Sequence, residues 1–289
     1  MKKREFLTQI GILTAGALVL PSINSFAGEK HMPFGIQLYS LRNELPKGVE
    51  TVISKVAKAG YSYVEAYGYS FDNGFWGLSA KEFRVLLDKY HLTCPSAHYD
   101  FNDYEKSGDV EIIKKYIATA KTLGSDYIVI PHINPNIYKD LALTKAWLAK
   151  INIAAKMVKD AGLKLSYHNH DFEFVDLGNT TAYEMLLNGT NPDLVDFEMD
   201  IYWVVRAKKD PLQFFKDHPG RFKLWHIKDM KKTDRTKNAE IGAGTIDYPT
   251  IIKGAKKAGL KYVFMEQENF DIDPYISISI SSKYLQKVL

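Results

Sequence analysis

Carboxylates, imidazoles and a lysine recur at every second residue in the later part of the sequence. Asp196, Glu198 and Asp200 alternate with Val195, Phe197 and Met199; Phe222, Leu224, His226 and Lys228 form one alternating set, and Tyr262, Phe264, Glu266 and Glu268 another. His168 and His170 are spaced in the same way and are followed by Glu173, while Gln37, Tyr39, Glu65, His98 and His132 add polar or aromatic groups earlier in the chain. Alternate residues of a strand share a face, so each set lines one face and its polar members come last. Like charges gathered out of water repel unless something neutralises them. A divalent cation does so, and a mixed set of Asp, Glu and His suits one ion of Mn, Zn, Co or Mg. Any one of these residues alone is equally an inter-strand ion pair or a satisfied core histidine. Asp200, His226 and Glu266 together, on successive strand ends, point to a metal.

The elements that must position these groups read as strand and helix in alternation. Strands are expected at Phe34–Leu41, Tyr63–Tyr67, Thr93–His98, Tyr127–Pro131, Leu163–His170, Leu194–Asp200, Phe222–Lys228 and Tyr262–Glu268. Helical patterns run between them, among them Gly48–Ala59, Ala80–Tyr90, Val110–Leu123, Thr144–Ala161 and Tyr248–Ala258. Gly60, Gly124, Gly162 and Gly259 stand just before strands, where a glycine closes a helix in a left-handed turn at little cost. Eight alternating units predict a parallel sheet closed into a (β/α)8 TIM barrel, with chemistry at the C-terminal strand ends. Gly242-Ala243-Gly244 lies in a long loop after the seventh strand, not at a strand-to-helix turn, so it does not suggest a dinucleotide site.

The N-terminus has a different character. Lys2-Lys3-Arg4 precedes an apolar run from Ile10 to Leu20, and the small residues Ser25 and Ala27 follow. That is the build of a secretory signal cut after Ala27, too short in its apolar run to span a bilayer. Lys3-Arg4-Glu5-Phe6-Leu7 also resembles a relaxed twin-arginine export motif. Residues 1–27 are therefore expected to export one barrel domain of residues 28–289, giving a periplasmic or otherwise exported protein with no stable membrane insertion after cleavage. The formal charge is +4, and without Lys2, Lys3, Arg4 and Glu5 the balance is 35 basic against 33 acidic residues. So small an excess argues against a nucleic-acid partner. Cys94 is the single cysteine, which excludes an internal disulfide, a cysteine-based zinc site and dithiol chemistry. Nothing in the chain supplies a nicotinamide or flavin site, or an evident serine or cysteine nucleophile. The oligomeric state is open, with a homo-oligomer allowed.

The segments Tyr167–Phe174 (YHNHDFEF), Asp196–Trp203 (DFEMDIYW), His218–Asp229 (HPGRFKLWHIKD), Ile241–Tyr248 (IGAGTIDY) and Met265–Gln267 (MEQ) carry a family resemblance. The sequence resembles the xylose-isomerase-like TIM-barrel family of sugar-phosphate isomerases and epimerases, which also includes inosose dehydratase and endonuclease IV relatives. The resemblance implies one divalent metal held by a glutamate, an aspartate, a histidine and a second glutamate from strands five to eight. The last three carry over onto Asp200, His226 and Glu266. Where many members have glutamate late in strand five, this chain has His168; similarity to inosose dehydratase favours Glu173 as the fourth ligand, with His168 the alternative. The resemblance further implies a sugar isomerase or epimerase working by proton transfer next to a carbonyl. His168 or His170 is then the expected base, since imidazole titrates near neutrality, and Lys228 is expected to share developing negative charge. The alternatives are a lyase or hydratase on 3-keto-glycosides and a non-catalytic sugar-binding barrel. Export favours a free sugar or an oxidised glycoside over a phosphorylated sugar. Gln37, Tyr39, Glu65, His98, His132 and Trp203 are the expected substrate contacts, and Tyr67, Tyr69, Phe75 and Trp76 are further aromatics able to stack on a pyranose.

Overall fold

The computed structural model describes residues 32–289. The export segment expected over residues 1–27 lies outside them. The eight barrel strands are β1 (Gly35–Gln37), β2 (Tyr63–Ala66), β3 (Thr93–His98), β4 (Tyr127–Ile130), β5 (Lys164–His168), β6 (Val195–Asp200), β7 (Leu224–Ile227) and β8 (Tyr262–Met265). Each pairs in parallel with its sequence neighbours, and β8 pairs with β1 to close the barrel. Helices cover the outside, among them Val49–Lys58, Ala80–Lys89, Val110–Leu123, Leu141–Asp160 and Pro274–Val288. The expected (β/α)8 barrel is therefore what forms. Among the described residues no helix is long and apolar enough to cross a membrane.

The four helix-closing glycines take the left-handed conformation, with φ of 91° at Gly60, 73° at Gly124, 84° at Gly162 and 79° at Gly259. Several elements differ from expectation for local reasons. β1 ends at Gln37 because the Gln37 side chain accepts the backbone N–H of Tyr39 and turns Leu38–Leu41 into a 3-10 helix. The fifth helix starts at Leu141, three residues early, because the Asp140 side chain caps it through Ala142 and Leu143. The Tyr248–Ala258 pattern splits into Tyr248–Ile252 and Ala255–Ala258.

Period two sorts the strand residues between two buried surfaces. Ile128, Ile130, Leu165, Phe197, Met199, Trp225, Val263 and Met265 belong to the large core beneath the helices. Tyr63, Tyr127, Val129, Leu224 and Phe264 form a separate apolar cluster, filling the lower barrel. Tyr63 meets Phe264 edge-on with ring centroids 5.3 Å apart. Gly35 makes room for that ring, since a Cβ there would collide with Tyr63 Cδ2. Above this plug the inward-facing positions turn polar.

Candidate metal centre and active site

His168 and Asp200 end their strands, His226 stands one residue before the end of β7, and Glu266 directly follows β8. All four are buried, and one ligating atom of each lies within 4.8 Å of the others. Asp200 uses its two oxygens differently: Oδ1 accepts the N–H of Trp203 and caps the helix Ile201–Arg206, while Oδ2 faces His168 Nε2 at 3.6 Å. Its backbone is clamped by Asn169, whose Oδ1 accepts Asp200 N–H at 3.1 Å and whose Nδ2 donates to Asp200 O at 3.3 Å. His226 Nδ1 is 3.1 Å from Glu266 Oε2. Among the described residues, neither ring nitrogen of His168 has a hydrogen-bond partner. A buried imidazole left unpaired costs free energy, and a metal ion facing it removes that cost. The donor set of two imidazoles and two carboxylates fits a divalent ion of the Zn or Mn type.

Glu173 departs from expectation. The chain after His168 turns through a 3-10 segment, Phe172–Phe174, that carries Glu173 behind β5. There its carboxyl accepts the hydroxyl of Tyr167 at 2.8 Å and the N–H of His170 at 2.9 Å, away from the four-residue group. Burial pushes its pKa up to about 8. Tyr167 and His168 point to opposite faces of the strand, and Glu173 joins Tyr167. His168 takes the fourth place in the group.

Lys228 stands beside the cluster, 2.6 Å from Glu268, 2.8 Å from Glu266 and 3.1 Å from Asp200. Burial opposes its charge, but Asp200, Glu266 and Glu268 outweigh it and hold the ammonium protonated. Its backbone is fixed by Tyr248, whose hydroxyl accepts from Lys228 N–H and donates to Lys228 O. The Ile241–Tyr248 segment, singled out in the sequence, serves this end. Gly242, Gly244 and Ile246 donate their N–H groups to the Asp229 carboxylate at 2.9, 3.0 and 3.1 Å. A Cβ on Gly244 would collide with Asp229 Oδ1, so the glycine there permits close approach to a carboxylate.

A cavity of about 410 Å³ opens onto these groups. Of the residues expected to act on substrate, Tyr39, His98, His132, His168, His170, Trp203 and Lys228 line it. Burial, then His168 and Lys228, lower the pKa of His170 well below the usual imidazole range, so it stays neutral. The His170 ring lies 5.5 Å from that of Trp203 and 5.6 Å from that of His132. Tyr39 and Tyr67 meet edge-on at the rim. Gln37 and Glu65 do not reach the cavity: Gln37 Nε2 donates to Glu65 at 2.7 Å, and both are fully enclosed beneath the floor. Phe75 is likewise core. Glu268, Asp100 and Asn102 line the cavity without having been assigned a role from the sequence. Glu268 carried a signal, the inward parity of its strand; Asp100 follows β3 in a loop and Asn102 opens the short helix Asn102–Ser107, where strand spacing says nothing.

A parallel eight-stranded barrel with a metal-competent group and a cavity at the C-terminal strand ends defines a (β/α)8 barrel of the metal-site type. The chain belongs to the xylose isomerase-like TIM barrel family, whose model matches residues 53–283. It is similar to inosose dehydratase 1 of Bacillus cereus, 26% identical over 151 residues covering 46% of this chain and 50% of that protein. The chain thus aligns with about half the length of that relative. A crystal structure of a sugar phosphate isomerase/epimerase from Parabacteroides distasonis ATCC 8503 superposes with a TM-score of 0.77 at 27% identity, covering 92% of this chain and 98% of that one. The IOLI protein with a binding zinc atom shares the fold, with a TM-score of 0.68 at 16% identity over 89% of this chain and 98% of that one.

Proposed function

We propose that this chain is a metal-dependent enzyme that removes a proton from a carbon next to a carbonyl in a free sugar or sugar derivative. The observation that carries the reading is His170, a half-buried imidazole kept neutral on the wall of a cavity whose floor holds the His168, Asp200, His226 and Glu266 group. A divalent ion bound there would act as a Lewis acid on a carbonyl and its neighbouring hydroxyl. The zinc of the IOLI protein makes zinc the first metal to try.

His170 accepts the carbon-bound proton. Lys228, held charged by three carboxylates, faces the oxygen on which negative charge develops and stabilises it. Trp203, Tyr39 and Tyr67 offer flat apolar faces to a sugar ring. The two sides of the site differ in kind, a neutral acceptor on one and a charged donor on the other. That asymmetry suits elimination, in which His170 takes the proton from carbon and passes it to the departing β-oxygen, while Lys228 keeps its own proton and stabilises the enolate oxygen. Similarity to inosose dehydratases supports this carbon–oxygen lyase outcome. The isomerase or epimerase outcome, in which the proton returns to carbon, is the second reading, supported by the relative named sugar phosphate isomerase/epimerase. The basic start, apolar run and small residues of 1–27 support an exported site of action, which fractionation of cells expressing the full chain tests.

The deciding experiment is turnover of sugars and 3-keto-glycosides in D2O by zinc- and manganese-loaded protein. Release of the β-substituent indicates the lyase; deuterium at carbon in a recovered or rearranged sugar indicates the isomerase. Neither exchange nor product across the panel would overturn the proposal.

A further inference from the structure

Beneath the metal-competent group lies a second buried cluster of Glu65, His98, Glu198 and His226, which shares His226 with it and whose carboxylates the chemistry above does not use. The Glu65 carboxylate is its centre. Oε1 accepts the hydroxyl of Ser96, and three nitrogens approach Oε2: Gln37 Nε2, which donates at 2.7 Å, His226 Nε2 at 2.6 Å and His98 Nε2 at 3.1 Å. His98 Nε2 also reaches Glu198 Oε2 at 2.7 Å.

The crowding on Oε2 decides between two uses of the cluster. A cation would have to compete with Gln37 and Ser96, which donate to the two oxygens of Glu65 whatever the tautomers of the imidazoles. A carboxylate surrounded by donors is instead an orienting group. His226 shows its two nitrogens to different neighbours: Nε2 to Glu65 below, Nδ1 to Glu266 above. An imidazole whose Nε2 proton is held by a carboxylate presents the Nδ1 lone pair, and such outer carboxylates fix both tautomer and ring orientation of a ligating histidine.

We propose that Glu65 is a positioning residue for the metal centre. It locks His226 with its proton on Nε2 and so aims the Nδ1 lone pair at the ion. Gln37 and Ser96 hold Glu65 in place; this explains why two polar residues, fully enclosed and out of reach of any substrate, sit on β1 and β3. His98, lining the cavity floor and touching both Glu65 and Glu198, ties the orienting carboxylate to the substrate side.

The inference rests on the metal reading above, and the test separates the two. Zinc affinity of the full chain is measured by chelator competition for wild type, Glu65→Gln and Glu65→Ala, alongside thermal stability of the metal-stripped forms. Glu65→Ala is expected to bind zinc about 10–100-fold more weakly, with partial recovery in Glu65→Gln, which keeps an acceptor without the charge. Long-range 1H–15N spectra of the zinc-loaded, 15N-histidine-labelled wild type should show one ring, lost in His226→Asn, protonated only at Nε2; that signature should change in Glu65→Ala. If Glu65→Ala does not fold, Gln37→Met and Ser96→Ala, which each remove a holder of Glu65, should still weaken zinc severalfold. Wild-type affinity and an unchanged imidazole signature in the Glu65 variants would overturn the inference while leaving the metal site intact. Two zinc ions in wild type with one lost in Glu65→Gln would overturn it in favour of a second metal. A wild type that binds no zinc, manganese or cobalt would overturn the metal reading itself.

Discussion

The lower and upper halves of the barrel interior are made by the same strands with the same period, yet they do opposite things. On β7 the inward residues run Leu224 then His226, with Lys228 next in the chain; on β8 Phe264 is followed by Glu266 and Glu268. The lower halves join Tyr63, Tyr127 and Val129 in an apolar plug. Two residues further on, the side chains are ionisable, equally buried, and hold one another in place through hydrogen bonds and ion pairs. A step of about 7 Å along a strand thus separates packing from chemistry. The plug keeps water from entering from below, so the charges above interact across a weakly screening interior. Burial alone therefore does not mark a core. What marks the site is burial of groups that would cost free energy there unless paired with each other or with an ion.

The comparison breaks most sharply if a mouth residue can be neutralised at no cost. Glu266→Gln replaces a charged candidate ligand by an amide of the same shape. It should weaken zinc by more than the roughly 10–100-fold expected for an outer partner and abolish turnover, as chelator competition and assay together would show. His170→Ala should retain zinc and fold but lose about 10²–10⁴-fold in kcat, the usual contribution of a general base. Loss of zinc in this variant would instead make His170 a ligand.

The barrel was legible because its signals are local and repeated: alternation within strands, glycines with left-handed φ at helix ends, and polar residues concentrated at strand ends. Asp200, His226 and Glu266 were legible for the same reason. Glu173 was not, because its direction depends on a 3-10 turn after β5. The parity of an ideal strand pointed the right way, outward with Tyr167, and family resemblance pulled the other way. Gln37 and Glu65 were correctly placed on the inner face, but height within the barrel is set by register between strands, which period two does not encode. Their depth turned expected substrate contacts into parts of a buried network. Asp100 and Asn102 belong to the loop after β3 and the start of the helix it leads into, whose path only the tertiary structure fixes.

Glu173 differs from the mouth residues as a buried carboxyl held by two neutral donors, the Tyr167 hydroxyl and the His170 N–H. Its folded pKa is raised to about 8 from an ordinary 4.5, with burial the cause. The folded protein therefore keeps this proton over a range in which the unfolded chain has released it. Its stabilising contribution is complete below pH 4.5, declines as pH rises through the interval, and is lost above about 8. Each tenfold step in proton affinity is worth about 1.4 kcal/mol, so the swing amounts to a few kcal/mol. Glu173→Gln keeps one oxygen to accept the N–H of His170, can donate its amide NH2 to the Tyr167 hydroxyl, whose own proton can turn to Tyr138, and has no proton to lose. Its stability in urea should fall less steeply than that of wild type between pH 5 and pH 8, values that bracket this interval. Parallel pH profiles would show that Glu173 ionises freely and that its pocket is wetter than the structure implies.

The smallest effect tests the plug. Leu224 is fully buried, lies across from Glu198 on β6 and Tyr262 on β8, and stands two residues before His226 on the same inward face. Leu224→Met conserves volume and adds no polar atom, and such exchanges usually cost less than about 1.5 kcal/mol. Methionine is unbranched and can follow the gap left between Tyr63, Tyr127 and Phe264. If the plug is only packing, the variant should lose that small amount of stability in urea denaturation of the metal-stripped protein. Zinc affinity and kcat should stay within about twofold of wild type, since changes that share no partners act independently. A severalfold loss of zinc affinity at nearly unchanged stability would mean something else: the position of His226 is set from below, through β7 itself, and plug and mouth form one mechanical unit.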